Sequence, residues 1–392
     1  MVVLGALSTF GPLTTDVYLP GLPQVSDDLG VADSQVQLTL TTCLVGLAVG
    51  QVIAGPLSDS LGRRRPLLVG LSLFVLASLG CAAAPSIVIL DVLRLVQGLC
   101  GAAGIVLARA IVRDHWSGIG AAKIYATLMG AVSVGPIVAP SIGGALLGVT
   151  DWRGLFLALA GFGVVLLVAS SIWVRESLPA SARREVSLLV TLRVGRRLLV
   201  DRLFIGYTLA SALAFGALFS YISGSSFVYQ DVFDVSAQVY GLLFGLNGLG
   251  LLLGNVANRR LQDRAGPHRL LRGGMLTTLA GAALVTVSVL GGLGLAALVV
   301  SLLIAVFGLG FIASNAVALA LEGQAADAGT ASALIGMTQF LIGAAAAPFA
   351  GIAGATAVPM AIMMLAFAVA AMLTLRTLVG SSHGVEEARE TA

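Results

Sequence analysis

Long apolar runs, each near the thickness of a bilayer's hydrocarbon core, alternate along the chain with short polar breaks. A helix needs about 20 apolar residues to cross that core. Twelve runs meet the need: 1–21, 36–57, 66–87, 88–111, 121–147 and 153–174, then 203–226, 238–258, 270–290, 293–320, 328–352 and 356–378. They are too long and too continuous for the alternation of a spanning β-strand, so the pattern predicts an all-α membrane protein with twelve transmembrane helices. The first run, "MVVLGALSTFGPLTTDVYLP", has no basic leader and no small-x-small cleavage site, and it holds an acid. It therefore reads as a spanning helix with a missing or very short leader, not as a signal peptide.

The polar breaks differ in sign. Those after helices 2, 4, 6 and 8 carry the arginine-rich stretches, Arg63 to Arg65, Arg113, Arg175 to Arg202 and Arg259 to Arg272. The opposite breaks carry Arg153 alone beside Asp27, Asp28, Asp33, Asp151, Asp231 and Asp234. The positive-inside rule then places both termini in the cytoplasm. The longest break divides the chain into a six-helix bundle over 1–174, a basic cytoplasmic linker over 175–202 and a second bundle over 203–380. A polar cytoplasmic tail follows over 381–392. The linker's "VSLLVTLRVGRRLLV" reads equally as an amphipathic helix on the inner leaflet or as a solvated connection.

Composition sharpens this picture. Of 392 residues, 58% are hydrophobic and 10% charged, where a soluble protein carries about 25% charged residues. Lipid is the solvent, and the net charge of +3 is no sign of a nucleic-acid partner. Cys43, Cys81 and Cys100 lie in apolar runs as free thiols. His115, His268 and His383 have no spacing suited to zinc. No phosphate-binding loop occurs, so neither metal nor cofactor is expected.

The chain repeats itself. "VGLAVGQVIAGPLSDSLGRRRPLLVG" (45–70) aligns without gaps to "LGLLLGNVANRRLQDRAGPHRLLRGG" (249–274) at an offset of 204. Gly50 matches Gly254, Asp59 matches Asp263, Gly62 matches Gly266 and Arg65 matches Arg269. Two six-helix pseudo-repeats follow, an arrangement common in secondary transporters.

"GPLSDSLGRRRP" (55–66) resembles the signature loop between helices 2 and 3 of the major facilitator superfamily, through Gly55, Leu57, Asp59, Gly62, Arg63, Arg64 and Arg65. A carboxylate and guanidiniums at a helix end pair with each other, or with a helix terminus of the other half, in one conformation only. That suits a conformational latch; the same arginines also fix topology. "TTDVYLPGLP", "RLVQGLCGAAGIVLARAIVRD", "SYISGSSFVYQ" and "ASALIGMTQF" together resemble the bicyclomycin-resistance (Bcr/CflA) drug/proton antiporters. "GAVSVGPIVAPSIGG" (130–144) resembles the Gly/Pro segment on helix 5 of facilitator exporters, with a departure in spacing. There Gly135, Pro136 and Pro140 are expected to bend the helix.

Ionisable groups deep in a membrane are costly and point to function. The clear cases are Asp16 on helix 1 and Arg94 on helix 4, at a depth the two share. Burial disfavours a charged carboxylate and a nearby guanidinium favours it, so Asp16 is read as a proton carrier and Arg94 as its modulator. The resemblance to the exporter pattern R-x-x-Q-G, here Arg94, Gln97 and Gly98, implies the same pairing. The competing reading is a static ion pair between helices 1 and 4. Tyr18, Gln97, Tyr125, Tyr221, Asn247, Asn315 and Gln339 are the polar points of an otherwise apolar substrate cavity, or else interhelical hydrogen-bond links. Gly46 and Gly50 on helix 2, with Gly98, Gly101 and Gly104 on helix 4, are expected on one face each so that the backbones approach closely. The expectation is a monomeric, proton-coupled exporter of small, drug-like molecules. Its alternatives are an exporter of one natural metabolite, a non-transporting sensor, and an intramembrane enzyme, for which no catalytic set is visible.

Overall fold

The computed structural model describes residues 2–116, 118–179, 181, 183, 195–322, 324, 328–351 and 356–379. It is helical nearly throughout. The first pass, α1, is broken, running over Val2–Ser8 and Phe10–Asp16, a 3-10 turn at Leu19–Gly21, and then Leu22–Leu29. There follow α2 (Asp33–Leu61), α3 (Arg64–Ala82), α4 (Ile87–His115), α5 (Gly118–Leu146), α6 (Trp152–Trp173) and α7 (Arg202–Phe227). A helical run over Ala237–Leu290 is broken at Gly266, whose φ is 69°; α8 precedes that residue and α9 follows it. The last three passes are α10 (Gly294–Leu321), α11 (Ala328–Ala346) and α12 (Val358–Thr374). Among the described residues these make twelve passes.

Several ends lie beyond the apolar runs that predicted them. α2 runs to Leu61, α4 to His115, and α8 continues past Arg259 and Arg260 to the break at Gly266. Arginine is a good helix former and its long stem lies along apolar surface while the head reaches water. The first charge therefore marks the end of the hydrocarbon span, not the end of the helix. α1 departs most: expected to end near residue 21, it bends by 54° between Val2–Ser8 and Leu13–Leu29, and it then reaches Leu29 through the 3-10 turn at Leu19–Gly21. Pro20 and Pro23 lack the N–H groups that would continue the ladder, so the chain tightens and restarts.

The chain forms two compact units, Met1–Val186 with Ser225–Gly248, and Ser187–Gly224 with Leu249–Ala392. In the first, α4 packs along α2, and α3 packs on α4 and α6. Leu67, Leu71 and Phe74 of α3 are buried, while Val69, Leu73 and Leu76 form an exposed stripe that suits lipid. In the second unit a core gathers Phe204, Tyr207, Met275, Ile312, Ile335 and Met372 from α7, α9, α10, α11 and α12.

The sequence repeat reappears in the packing of each unit. Gly46, Gly50 and Gly70 sit against Leu95, Leu99, Cys100 and Ala103 of α4. Their counterparts Gly250, Gly254 and Gly274 sit against Leu303, Phe307, Gly308 and Phe311 of α10. The α2 and α3 positions match at an offset of 204 and the α4 positions at 208, so α4 and α10 are equivalent elements reached through connections of different length. Gly62 and Gly266, both with positive φ (89° and 69°), mark the same turn twice.

One glycine expectation is corrected. Gly98 faces Cys43 and Leu47 of α2, whereas Gly101 faces chiefly Phe74 of α3, with Leu47 at its edge, and Gly104 faces Leu7 and Phe10 of α1. A step of three residues falls about 60° short of a full turn. The three glycines therefore serve three partners in turn instead of one face.

Candidate functional site

The break in α1 positions the chemistry. Where a helix tightens and restarts, carbonyls lose or loosen their bonds, and here polar side chains take or share them, Leu19 O keeping the Leu22 N–H as well. Arg94 on α4 donates from Nη1 to Thr14 O at 3.0 Å. Ser226 donates to Leu19 O at 2.6 Å and Gln230 to Pro20 O at 3.1 Å. Asp16, the last residue before the break, is buried at 4% exposure. Its Oδ1 accepts from Thr15 Oγ1 at 2.7 Å, and the phenol of buried Tyr240 lies within its electrostatic reach.

Arg94 is fully buried and braced on every side. Nη1 also donates to Gln97 Oε1 at 2.6 Å, and Nε points to Thr39 O at 3.4 Å. The guanidinium stacks 4.9 Å from the Tyr18 ring centroid and 5.6 Å from that of Phe156. Nη2 has no hydrogen-bond partner. Among the described residues, Arg94 and Asp16 form no ion pair; they meet only through Thr14 to Asp16, two residues of backbone. The static salt bridge weighed from the sequence is therefore not what joins α1 to α4.

The other expected cavity residues fall as follows. Tyr18 is buried with its hydroxyl 3.2 Å from that of Thr39. Gln97 uses its amide on Arg94 and on Ser78, to which Nε2 donates at 2.7 Å. Asn247 is buried near the end of the first unit's 225–248 segment. Within the second unit Tyr221 is buried. Asn315 donates to Asn258 Oδ1 at 2.7 Å, an interhelical link between α8 and α10, and Gln339 is half-buried, 3.4 Å from Ser211. The side chain of Tyr125 lies outside the described residues.

α5 stays helical through Gly135, Pro136 and Pro140. Its Pro140 and Ser141 meet Gly241 closely enough that a Cβ there would clash with the Pro140 carbonyl, and Ser141 Oγ donates to Gly241 O at 3.1 Å. Gly245 and Gly248 continue the contact along Ile137. The Gly/Pro segment thus serves a close seam between α5 and the start of α8.

The signature loop is built as a cage inside the first unit. Arg63 is buried, and its guanidinium reaches Asp59 Oδ1 at 2.5 Å, Ser58 Oγ at 2.6 Å and Asp114 Oδ2 at 2.9 Å. Asp114 also accepts from Ser177 at 2.8 Å. Glu176 accepts from the backbone N–H of Arg63 at 2.7 Å and of Arg64 at 3.2 Å. Burial works against the Glu176 charge, but these N–H groups and Arg183 outweigh it and hold its carboxyl below the usual range. Arg64 caps the Val174 and Ser171 carbonyls of α6. Gly55 stands in open packing and Arg65 is exposed. Gly62 is required twice over, by its positive φ and by the Glu176 carboxylate where a Cβ would be. Sequence reasoning missed Asp114 and Glu176. Only the acid closing "RAIVRD" and the acid in "RESLP", each beside arginines after an apolar run, hinted at them. The second half has no such cage: Pro267 stands at the Arg63 position, and Asp263 forms no ion pair among the described residues.

Comparison with known proteins agrees with this architecture. The family model described as Major Facilitator Superfamily matches residues 4–348. The chain is 43% identical over 372 residues to the Bacillus subtilis protein named "Uncharacterized MFS-type transporter YdgK", covering 94% of this chain and 92% of that one. It is 31% identical to the Haemophilus influenzae "Bicyclomycin resistance protein homolog", covering 88% and 86%. Its fold matches a partially occluded inward-open structure of the xylose transporter XylE from E. coli, with a TM-score of 0.74, 15% identity and 96% of each chain covered.

Proposed function

The chain belongs to the major facilitator superfamily, in its bicyclomycin-resistance branch, and on that premise we propose that it exports small amphipathic compounds in exchange for protons. The observation that carries this reading is Asp16: a buried carboxylate at a helix break, bonded to Thr15 and in no ion pair among the described residues. A charge in such a place is costly, and a proton removes it. Arg94 is fixed to the Thr14 carbonyl on one nitrogen and has a second nitrogen, Nη2, without a partner. When the proton leaves Asp16, that free donor is the cation the carboxylate turns to. Proton loss is thereby converted into a shift of α1 against α4. The halves 1–174 and 203–380 rock about the linker 175–202 with both termini in the cytoplasm. The monomer suffices, because both groups lie in one chain.

The substrate class follows from the walls. Rings and amides of the kind expected in the cavity, such as Tyr18 and Asn247 of the first unit, hold apolar area loosely and suit uncharged or lipophilic molecules. The relative named for bicyclomycin resistance supports the same class. The test pairs a drug-susceptibility panel in an efflux-deficient host with flux into proteoliposomes of acidic interior. Export of several unrelated amphipathic compounds, each concentrated by the gradient, is expected. Transport of a single metabolite alone, or none under any gradient, overturns the proposal.

A further inference from the structure

α8 and α10 touch tightly and then part. Gly254 lies against the Phe307 carbonyl, and Gly310 lies against the Gly254 backbone. Beyond that contact, toward the arginine-rich side, a groove of about 790 Å³ opens. Leu253, Val256, Ala257 and Leu261 of α8 and Phe307 of α10 form its apolar part, and Arg260 and Arg264 stand at its polar end. The α8 residues are spaced i, i+3, i+4, i+7, i+8 and i+11, a single stripe of one helix. From Leu253 to Arg264 the stripe is about 16 Å long at 1.5 Å per residue, the reach of a headgroup and the upper part of an acyl chain. Both arginines are exposed. Neither forms an ion pair among the described residues, and the nearest acid in sequence, Asp263, stands at the edge of the stripe, outside the groove lining.

We propose that this groove binds one anionic phospholipid, its phosphate between Arg260 and Arg264 and its acyl chain along Leu253, Val256 and Phe307. Two unpaired guanidiniums at the end of an apolar trough, at the level where lipid headgroups lie, complement that molecule in both charge and greasiness. The first unit presents no equivalent, because the matching positions on α2 are Pro56 and Ser60. The site is independent of the proton chemistry at Asp16 and stands or falls separately from it.

Native mass spectrometry of the full-length protein, titrated with phosphatidylglycerol or phosphatidylcholine, tests the assignment. Each arginine near the surface contributes about fivefold in affinity. R260Q/R264Q is therefore expected to bind its first phosphatidylglycerol about 30-fold more weakly than the parent, with phosphatidylcholine binding unchanged. R259Q removes a neighbouring charge off the stripe and is expected to retain the lipid. Inorganic phosphate should not compete, because the chain in the trough is half of the recognition. Equal loss in R259Q reduces the effect to general surface charge and overturns the site. Equal retention of both lipids by the parent, or competition by free phosphate, overturns it too.

Discussion

Gly98→Ala adds one methyl group to the seam between α2 and α4. The new Cβ would fall on the Cys43 carbonyl and beside the Leu47 amide, both backbone atoms. Backbone cannot rotate aside, so the helices must separate by roughly 1 Å, which forfeits a quarter to a half of the dispersion well at each atom pair along the seam. Overpacking of this kind costs about 1–3 kcal/mol, and alanine's better helix propensity returns about 1 kcal/mol. A net destabilisation of up to about 2 kcal/mol follows. Gly161 on α6 is the internal control, since a Cβ there meets nothing within 4 Å. Gly161→Ala should gain up to about 1 kcal/mol from propensity alone. Reversible unfolding in mixed micelles of mild detergent and dodecyl sulfate separates the two. Gly98 lies one turn from Arg94, which itself reaches across the seam toward Thr39 O, so transport per folded molecule should fall as well. If both variants change stability by the same amount in the same direction, the reading of α2 and α4 as a glycine-mediated seam is wrong.

Other consequences are open to direct measurement. The folded carboxyl of Glu176 is held below the usual range, so its contribution is complete above its ordinary value of about 4.3 and is lost as pH falls through the lowered one. Protection of the Arg63 and Arg64 amides, measured against the intrinsic exchange rate at each pH, should therefore be high at neutral pH, fall on acidification, and be low at neutral pH in Glu176→Gln. Asp114→Asn weakens a charge-assisted bond to buried Arg63 and should cost about 1.5–3 kcal/mol in the same micellar unfolding assay. Asn315→Leu alone strands Asn258 and should destabilise by about 1–3 kcal/mol, whereas the Asn258→Leu, Asn315→Leu pair should recover most of that loss.

The twelve passes were legible because apolar length is a strong signal in lipid, and the repeat was legible because Gly50, Asp59 and Gly62 recur in order. The break in α1 was harder to read. Pro20 and Pro23 announce it, yet the charge pattern draws the eye to residue 21 as an ending. Asp16 and Arg94 stood out as isolated charges in apolar runs, but spacing along a chain says nothing of which atoms meet across helices. Arg94 turned out to hold the Thr14 carbonyl and Gln97. The partners of Arg63 were hidden for the same reason: Asp114 lies 51 residues away and Glu176 113, and only packing brings them together.

The most direct test of the account compares two modes of transport in Asp16→Asn proteoliposomes. Exchange of labelled for unlabelled substrate at equal pH needs no net proton movement and should persist. Concentration of substrate driven by an acidic interior should vanish. Gradient-driven accumulation at the parental level in Asp16→Asn would contradict the assignment of proton coupling to this residue.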